Sequence, residues 1–125
     1  MLKSLVVLIG LACPTAAVAV GFSVGDVAIE PVVTGLEEPW SLGFLPGGGI
    51  LITERGGQLL YAQGGQKHQV SGLPSVAAVG QGGLLDVLVP RDFASQREIF
   101  LSYSKPQSSE SGTALMRARL SNDNR

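Results

Sequence analysis

Cysteine is nearly missing from this chain: the one copy, Cys13, lies in a segment that reads as a leader. Beyond that segment there is no thiol, which excludes a disulfide framework, a cysteine metal site and a thiol nucleophile, and leaves packing alone to hold the fold. Histidine is equally scarce, with His68 the only one. Charge is sparse at 15% of residues and nearly balanced, nine Lys and Arg against ten Asp and Glu. No basic stripe exists to attract a phosphate backbone, so nucleic acid is not an expected partner. Long apolar runs are missing too, and none could span a bilayer. From Val20 onward no helix-length window shows helical periodicity.

What is present is apolar. Hydrophobic residues make up 45% of the 125, a globular rather than a disordered balance. The N-terminus has the layout of a secretory signal peptide: Lys3, an apolar run from Leu5 to Ala12, Pro14, and small residues at Ala17-Val18-Ala19. The expected cut follows Ala19, giving residues 1–19 as leader and 20–125 as the mature portion, exported to the periplasm or beyond. A lipid-attachment box at Cys13 fits poorly, because Leu11 stands one place too late.

The mature portion reads as all-β. Expected strands are Glu30–Thr34, Trp40–Leu45, Ile50–Arg55, Gln58–Gln63 and Lys67–Val70. Gly56-Gly57 and Gly64-Gly65 between such runs signal a meander, because primed hairpin turns need positive φ. Several runs are apolar nearly throughout, so both sheet faces should be covered, as in stacked small sheets. The pattern then repeats. Leu84–Val89 before Pro90 matches Trp40–Leu45 before Pro46, Glu98–Ser104 matches Ile50–Arg55, and Thr113–Leu120 matches Gln58–Gln63. Pro46 and Pro90 stand 44 residues apart, the length of one four-stranded propeller blade. Lys105–Gly112 reads as a polar loop.

The stretch Gly80-Gln81-Gly82-Gly83-Leu84-Leu85-Asp86-Val87 joins the two repeats. A tight glycine turn there sets one amide, Gln81, beside a strand buried on both faces. An unsatisfied buried amide costs about 1–3 kcal/mol, so such a group either meets a ligand or, as turn glutamines do, bonds its own backbone. Residue spacing alone leaves both open.

Gly35-Leu36-Glu37-Glu38-Pro39-Trp40-Ser41-Leu42, Leu51-Ile52-Thr53-Glu54-Arg55, Gly80 to Val87, Asp92-Phe93, Leu101-Ser102-Tyr103-Ser104 and Gly112-Thr113-Ala114 resemble, in that order, the opening of the soluble PQQ-dependent aldose sugar dehydrogenases, also called the glucose/sorbosone dehydrogenase family. The resemblance runs from about Ile29 to Leu120. It implies a six-bladed β-propeller, of which this chain holds about one and three-quarter blades, with PQQ over the central channel, calcium on the cofactor, and oxidation of an aldose C1 hydroxyl to a lactone with electrons passed to an acceptor. Gln81 matches the glutamine that faces substrate and cofactor in that family. Its general base is a histidine of a later blade, and its calcium ligands and PQQ-gripping basic residues also come from beyond residue 125. The resemblance therefore implies no catalytic residue and no metal ligand in this chain, which is expected to be inactive by itself as an N-terminal piece or a truncated product. Where family members have His-Pro-Asp-Phe, this chain has Val89-Pro90-Arg91-Asp92-Phe93. The alternative is a non-catalytic propeller that binds sugars or proteins, since fold does not fix function.

The remaining polar residues read as structural. His68 belongs to the outer strand of the first blade and reads as a surface residue; Asp86 bonds neighbouring backbone; Glu54 and Arg55 form a solvent-facing pair at a strand end; Arg117 and Arg119 lie on a wet strand face. Trp40 and Tyr103 read as core or blade-to-blade packing. The glycine turns lack the lysine of a phosphate loop, and no acidic cluster has calcium-loop spacing.

Overall fold

The computed structural model describes residues 18–22 and 25–124. The expected leader lies outside the described residues except for Val18 and Ala19, which open strand β1 (Val18–Phe22). That strand pairs antiparallel with β2 (Gly25–Ile29), from Val18↔Ile29 to Phe22↔Gly25. The hairpin belongs to a unit ending at Pro31, and Val32–Arg125 forms a second unit.

The expected leading strand Glu30–Thr34, which straddles the boundary between the units, does not form; these residues are irregular backbone. Pro31 has no N–H to give a ladder, and the segment is used differently. Val33 and Leu36 pack against Ile52, Leu60 and Ala62, while the Lys67 ammonium donates to the carbonyls of Thr34 and Gly35. The segment covers a sheet face instead of extending an edge.

Four strands then follow as a meander: β3 (Pro39–Phe44), β4 (Ile50–Glu54), β5 (Gln58–Gln63) and β6 (Gln66–Val70), hydrogen-bonded in that order. Gly64 and Gly65 have φ of 58° and 77°, the pair of positive values a two-residue type I′ turn demands, and they close the Gln63↔Gln66 pair. The second sheet is β7 (Leu84–Leu88), β8 (Glu98–Pro106) and β9 (Ser111–Arg119), again in meander order. Between β7 and β8 sits α1 (Phe93–Gln96), a single turn whose Phe93 is buried. The expected loop over Lys105–Gly112 is shorter than its polarity implies, because β8 and β9 stay paired out to Pro106↔Ser111 and the chain turns at 107–110. Pro106 is tolerated there because β7 reaches only as far as Leu84↔Tyr103, so the flank its missing N–H faces carries no ladder.

The two sheets stack face to face as consecutive units of a partial β-propeller. Alternation along the strands sends Leu51, Leu59 and Val70 of the first sheet and Val87, Leu101 and Tyr103 of the second into one shared core, together with Leu84, Ile99 and Phe93. The stacking is close where β3 meets β7 and the residue after it: a Cβ on Gly43 would lie 2.9 Å from a Val89 methyl and 3.3 Å from one of Val87. Leu42 and Phe44, on the other face of β3, remain 54% and 70% exposed. The expectation that both faces are covered thus holds for β4, buried from Leu51 to Glu54, and not for β3.

The two inner strands share a detail. Each carries a bulge near its start, between Pro39 and Ser41 in β3 and between Leu84 and Val87 in β7. A bulge strands a backbone N–H, and in both sheets a hydroxyl of the second strand accepts it. The Ser41 amide donates to Thr53 Oγ1 at 3.0 Å, and the Asp86 amide to Ser102 Oγ at 3.0 Å.

Candidate functional site

The link from the first sheet to the second ends in the glycine turn. Gly82 N donates to Val79 O at 2.9 Å, with Gly80 at φ 57°. After it, Gly82 and Gly83 run through space that admits no side chain. A Cβ on Gly82 would lie 2.7 Å from Ser104 Oγ and 2.9 Å from the Ala77 carbonyl oxygen, and one on Gly83 would lie 2.4 Å from Arg55 O. The turn is gripped from two sides. From β8, Ser104 Oγ accepts Gly83 N at 3.2 Å while Ser104 N donates to Gly83 O at 2.8 Å. From the end of β4, Arg55 Nη1 donates to Gly80 O at 3.3 Å and Gly82 O at 3.2 Å.

Gln81 stands at the tip of this turn, exposed. Its carboxamide has no hydrogen-bond partner among the described residues, so it does not spend its donors and acceptor on its own backbone. A free carboxamide on a clamped turn can donate to one hydroxyl and accept from another. No other polar side chain named from the sequence joins it in a ligand cluster. Asp86, five residues on, is occupied: its Oδ1 accepts the Ser41 hydroxyl and, at 2.9 Å, the Val87 amide. This is the structural role expected of it, with a link between the two inner strands added.

His68 lies on β6, the outermost strand of its sheet, half-buried beside the Tyr61 ring, with Nε2 3.1 Å from Asn124 O. Arg117 is exposed on β9, and Arg119 lies 3.9 Å from Glu98 across the pair with β8. Tyr103 is buried in the shared core, whereas Trp40 is 48% exposed. The expected Glu54–Arg55 pair is not formed. Successive strand residues point to opposite faces, and Glu54 is buried where it accepts Glu37 N at 2.7 Å, while Arg55 pairs instead with Glu38 at 3.0 Å.

Sequence reading missed the part Arg55 plays in holding the Gln81 turn, because nothing local marks it. It also missed the hydroxyls Thr53, Ser102 and Ser104. Those could have been found, since hydroxyl residues amid apolar neighbours in the second strand of each sheet signal buried backbone groups in need of a partner.

Two hollows lie away from the turn. One of about 180 Å3 runs between the sheets beneath Leu59, Ile99 and Leu120, and one of about 280 Å3 lies on the far face of the second sheet between Leu88, Phe100 and Leu115. Neither includes Gln81. Among the described residues no group of three His, Cys, Asp or Glu could hold a metal ion, and no helix is long and apolar enough to cross a membrane.

The profile of the family described as Glucose / Sorbosone dehydrogenase matches residues 36–125, both sheets and the turn between them. The chain belongs to the glucose/sorbosone dehydrogenase family. A family relative, the aldose sugar dehydrogenase YliI of Escherichia coli (strain K12), is 48% identical over 101 residues, which cover 78% of this chain and 27% of that protein. A second, the uncharacterized protein slr1608 of Synechocystis sp. (strain ATCC 27184 / PCC 6803 / Kazusa), is 35% identical over 103 residues, covering 74% and 25%. The chain therefore spans about a quarter of the length of these relatives. Among solved structures, the soluble aldose sugar dehydrogenase of Escherichia coli in the apo-form superposes with a TM-score of 0.67 at 49% identity, over 71% of this chain and 27% of that one. The PQQ-bound form of an aldose sugar dehydrogenase from Streptomyces coelicolor superposes with a TM-score of 0.69 over 90% of this chain and 31% of that one. At 24% identity that likeness is one of fold.

Proposed function

We propose that this chain contributes one blade and three strands of the next to an exported PQQ-dependent aldose sugar dehydrogenase, which oxidises the C1 hydroxyl of an aldose to a lactone and hands the electrons to an acceptor. We assign Gln81 as a contact to the sugar or cofactor. The observation that carries this reading is the glycine turn. It has the residues expected of the family, it lies within the matched region, and it holds out an exposed carboxamide that no described residue engages.

Family membership, and relatives that are aldose sugar dehydrogenases, support the reaction. The fold shared with a protein solved in its PQQ-bound form supports the cofactor. The described residues taken by themselves do not fit PQQ or calcium: the glycine turn offers one carboxamide, and around it stand no cluster of metal ligands and no histidine, the one described histidine lying on the outermost strand. Abstracting a hydroxyl proton needs a base, and these residues bring none to Gln81. Their part is binding and orientation, while the quinone, when bound, is the acceptor of the redox step.

The test is reconstitution of the full-length protein that carries these blades with PQQ and calcium and assay of dye reduction with a panel of aldoses. Sugar-dependent reduction is expected. Its absence with every aldose would leave a propeller that binds without reacting. Gln81→Ala removes one or two neutral hydrogen bonds of about 0.5–1.5 kcal/mol each, so the sugar KM should rise at least about 2-fold and at most about 140-fold, an effect larger than that on folding. An unchanged KM with a lowered Tm would make Gln81 a structural residue.

A further inference from the structure

We propose that Arg55, locked by Glu38, is the positioning residue for Gln81. The proposal rests on the assignment of Gln81 as a ligand contact and goes beyond it, naming what sets that contact in place.

The two ends of the guanidinium do different work. On one side Nε and Nη2 meet the Glu38 carboxylate in a fork, at 3.2, 3.0 and 3.0 Å. On the other side Nη1 donates to Gly80 O and Gly82 O, the carbonyls of the residues before and after Gln81. A guanidinium is planar and rigid, so fixing one side fixes the direction of the other. Nη1 thus holds the 80–81 peptide that precedes Gln81 and the 82–83 peptide one link beyond it, while the 81–82 peptide between them is tied by Gly82 N to Val79 O at 2.9 Å, so the direction of the Gln81 side chain is set.

Three observations separate this role from that of a tie between sheets. First, the backbone of Arg55 already makes that tie through Leu84 N, which donates to Arg55 O at 3.0 Å, while Arg55 N donates to Glu38 O at 3.0 Å on the side of its own sheet. Removing the guanidinium leaves both bonds. Second, the pair is open to water, with side chains 24% and 64% exposed, and exposed ion pairs add little to stability. Third, Glu38 holds φ 47°, a conformation a non-glycine residue keeps only where its surroundings impose it. The strain sits on the residue whose carboxylate holds the arginine.

The experiment uses the native protein with Arg55→Met, Arg55→Lys and Glu38→Gln. Lysine keeps the charge and lacks the fork, so it should fail to rescue. Each variant is measured for sugar KM and kcat, for Tm, and for hydrogen exchange of the peptide spanning residues 77–85. The expected result is faster exchange of that peptide by about tenfold in Arg55→Met, a KM raised more than kcat is lowered, and a Tm close to that of the unaltered protein. Glu38→Gln leaves the arginine in place and loosens its anchor, so it should move exchange and KM in the same direction by less, and it decides the matter should Arg55→Met fail to fold. Unchanged exchange in Arg55→Met, a lowered Tm with an unchanged KM, or full rescue by lysine would each overturn the proposal. Gln81→Ala separates the two claims. If it leaves KM unaltered while Arg55→Met still speeds exchange, Arg55 holds the turn and the assignment of Gln81 as a ligand contact is the claim that falls.

Discussion

Replacing Thr53 with valine tests the idea that hydroxyls, rather than apolar contact alone, join the two sheets. Thr53 is fully buried on β4. Its Oγ1 donates to Leu85 O at 2.5 Å and accepts Ser41 N at 3.0 Å, so one hydroxyl repairs the bulge of its own sheet and bonds the inner strand of the next. Valine has the same shape and more apolar surface, and a packing argument alone would have it neutral or stabilising. It would leave the Leu85 carbonyl and the Ser41 amide without partners, and a buried group so stranded costs about 1–3 kcal/mol. Ser41 is half-buried, and water can reach its amide in part, so the total should fall near 2–4 kcal/mol. Thr53→Ser is the control. It keeps both hydrogen bonds and removes one methyl, for about 1 kcal/mol. The assay is urea unfolding of the native protein, comparing midpoints at constant slope. The expected order of stability is wild type, then serine, then valine. A valine variant as stable as the serine variant would refute the reasoning and return the joint between the sheets to van der Waals packing.

Two further substitutions have outcomes set by the same geometry. Gly83→Ala places a methyl 2.4 Å from the Arg55 carbonyl oxygen, backbone that cannot swing aside, so it should cost at least about 2 kcal/mol; a change under about 0.5 kcal/mol in the urea midpoint analysis would show that the turn adjusts freely. Arg119→Ala breaks an ion pair 3.9 Å long with an arginine side chain 69% exposed, and thermal melting should register less than about 0.5 kcal/mol, whereas a larger loss would mean that its aliphatic stem packs against the core.

Much of the fold was legible because its signals are local. The Gly64-Gly65 hairpin follows from backbone freedom at two adjacent positions, and Gln58–Gln63 forms a strand with the expected bounds because punctuated turns leave it no other state. The Pro46 to Pro90 interval correctly marked the second sheet. Local signals failed where pairing decides. Glu30–Thr34 has the β-branched residues of a strand and no ladder to join, so it became a cover for Ile52 and Leu60. The polar residues after Lys105 read as a loop, yet Lys105 and Pro106 pair with Gly112 and Ser111 because the hairpin register carries them along. Trp40 reads as buried by its size and is nearly half exposed, since burial depends on what lies opposite.

By itself, then, the sequence determined the strands of the two meanders, most of the turns between them, the repeat, and the glycine-flanked glutamine, all of which depend on residues within a few positions of one another. Only the tertiary structure decided which polar groups meet. Arg55 finds Glu38 across 17 residues and Gly82 across 27, Thr53 reaches Leu85 across 32, and Ser41 reaches Asp86 across 45. A guanidinium or a hydroxyl carries no mark of its partner in its neighbours along the chain. The partner is chosen when two sheets stack and leave particular carbonyls and carboxylates within about 3 Å of a donor.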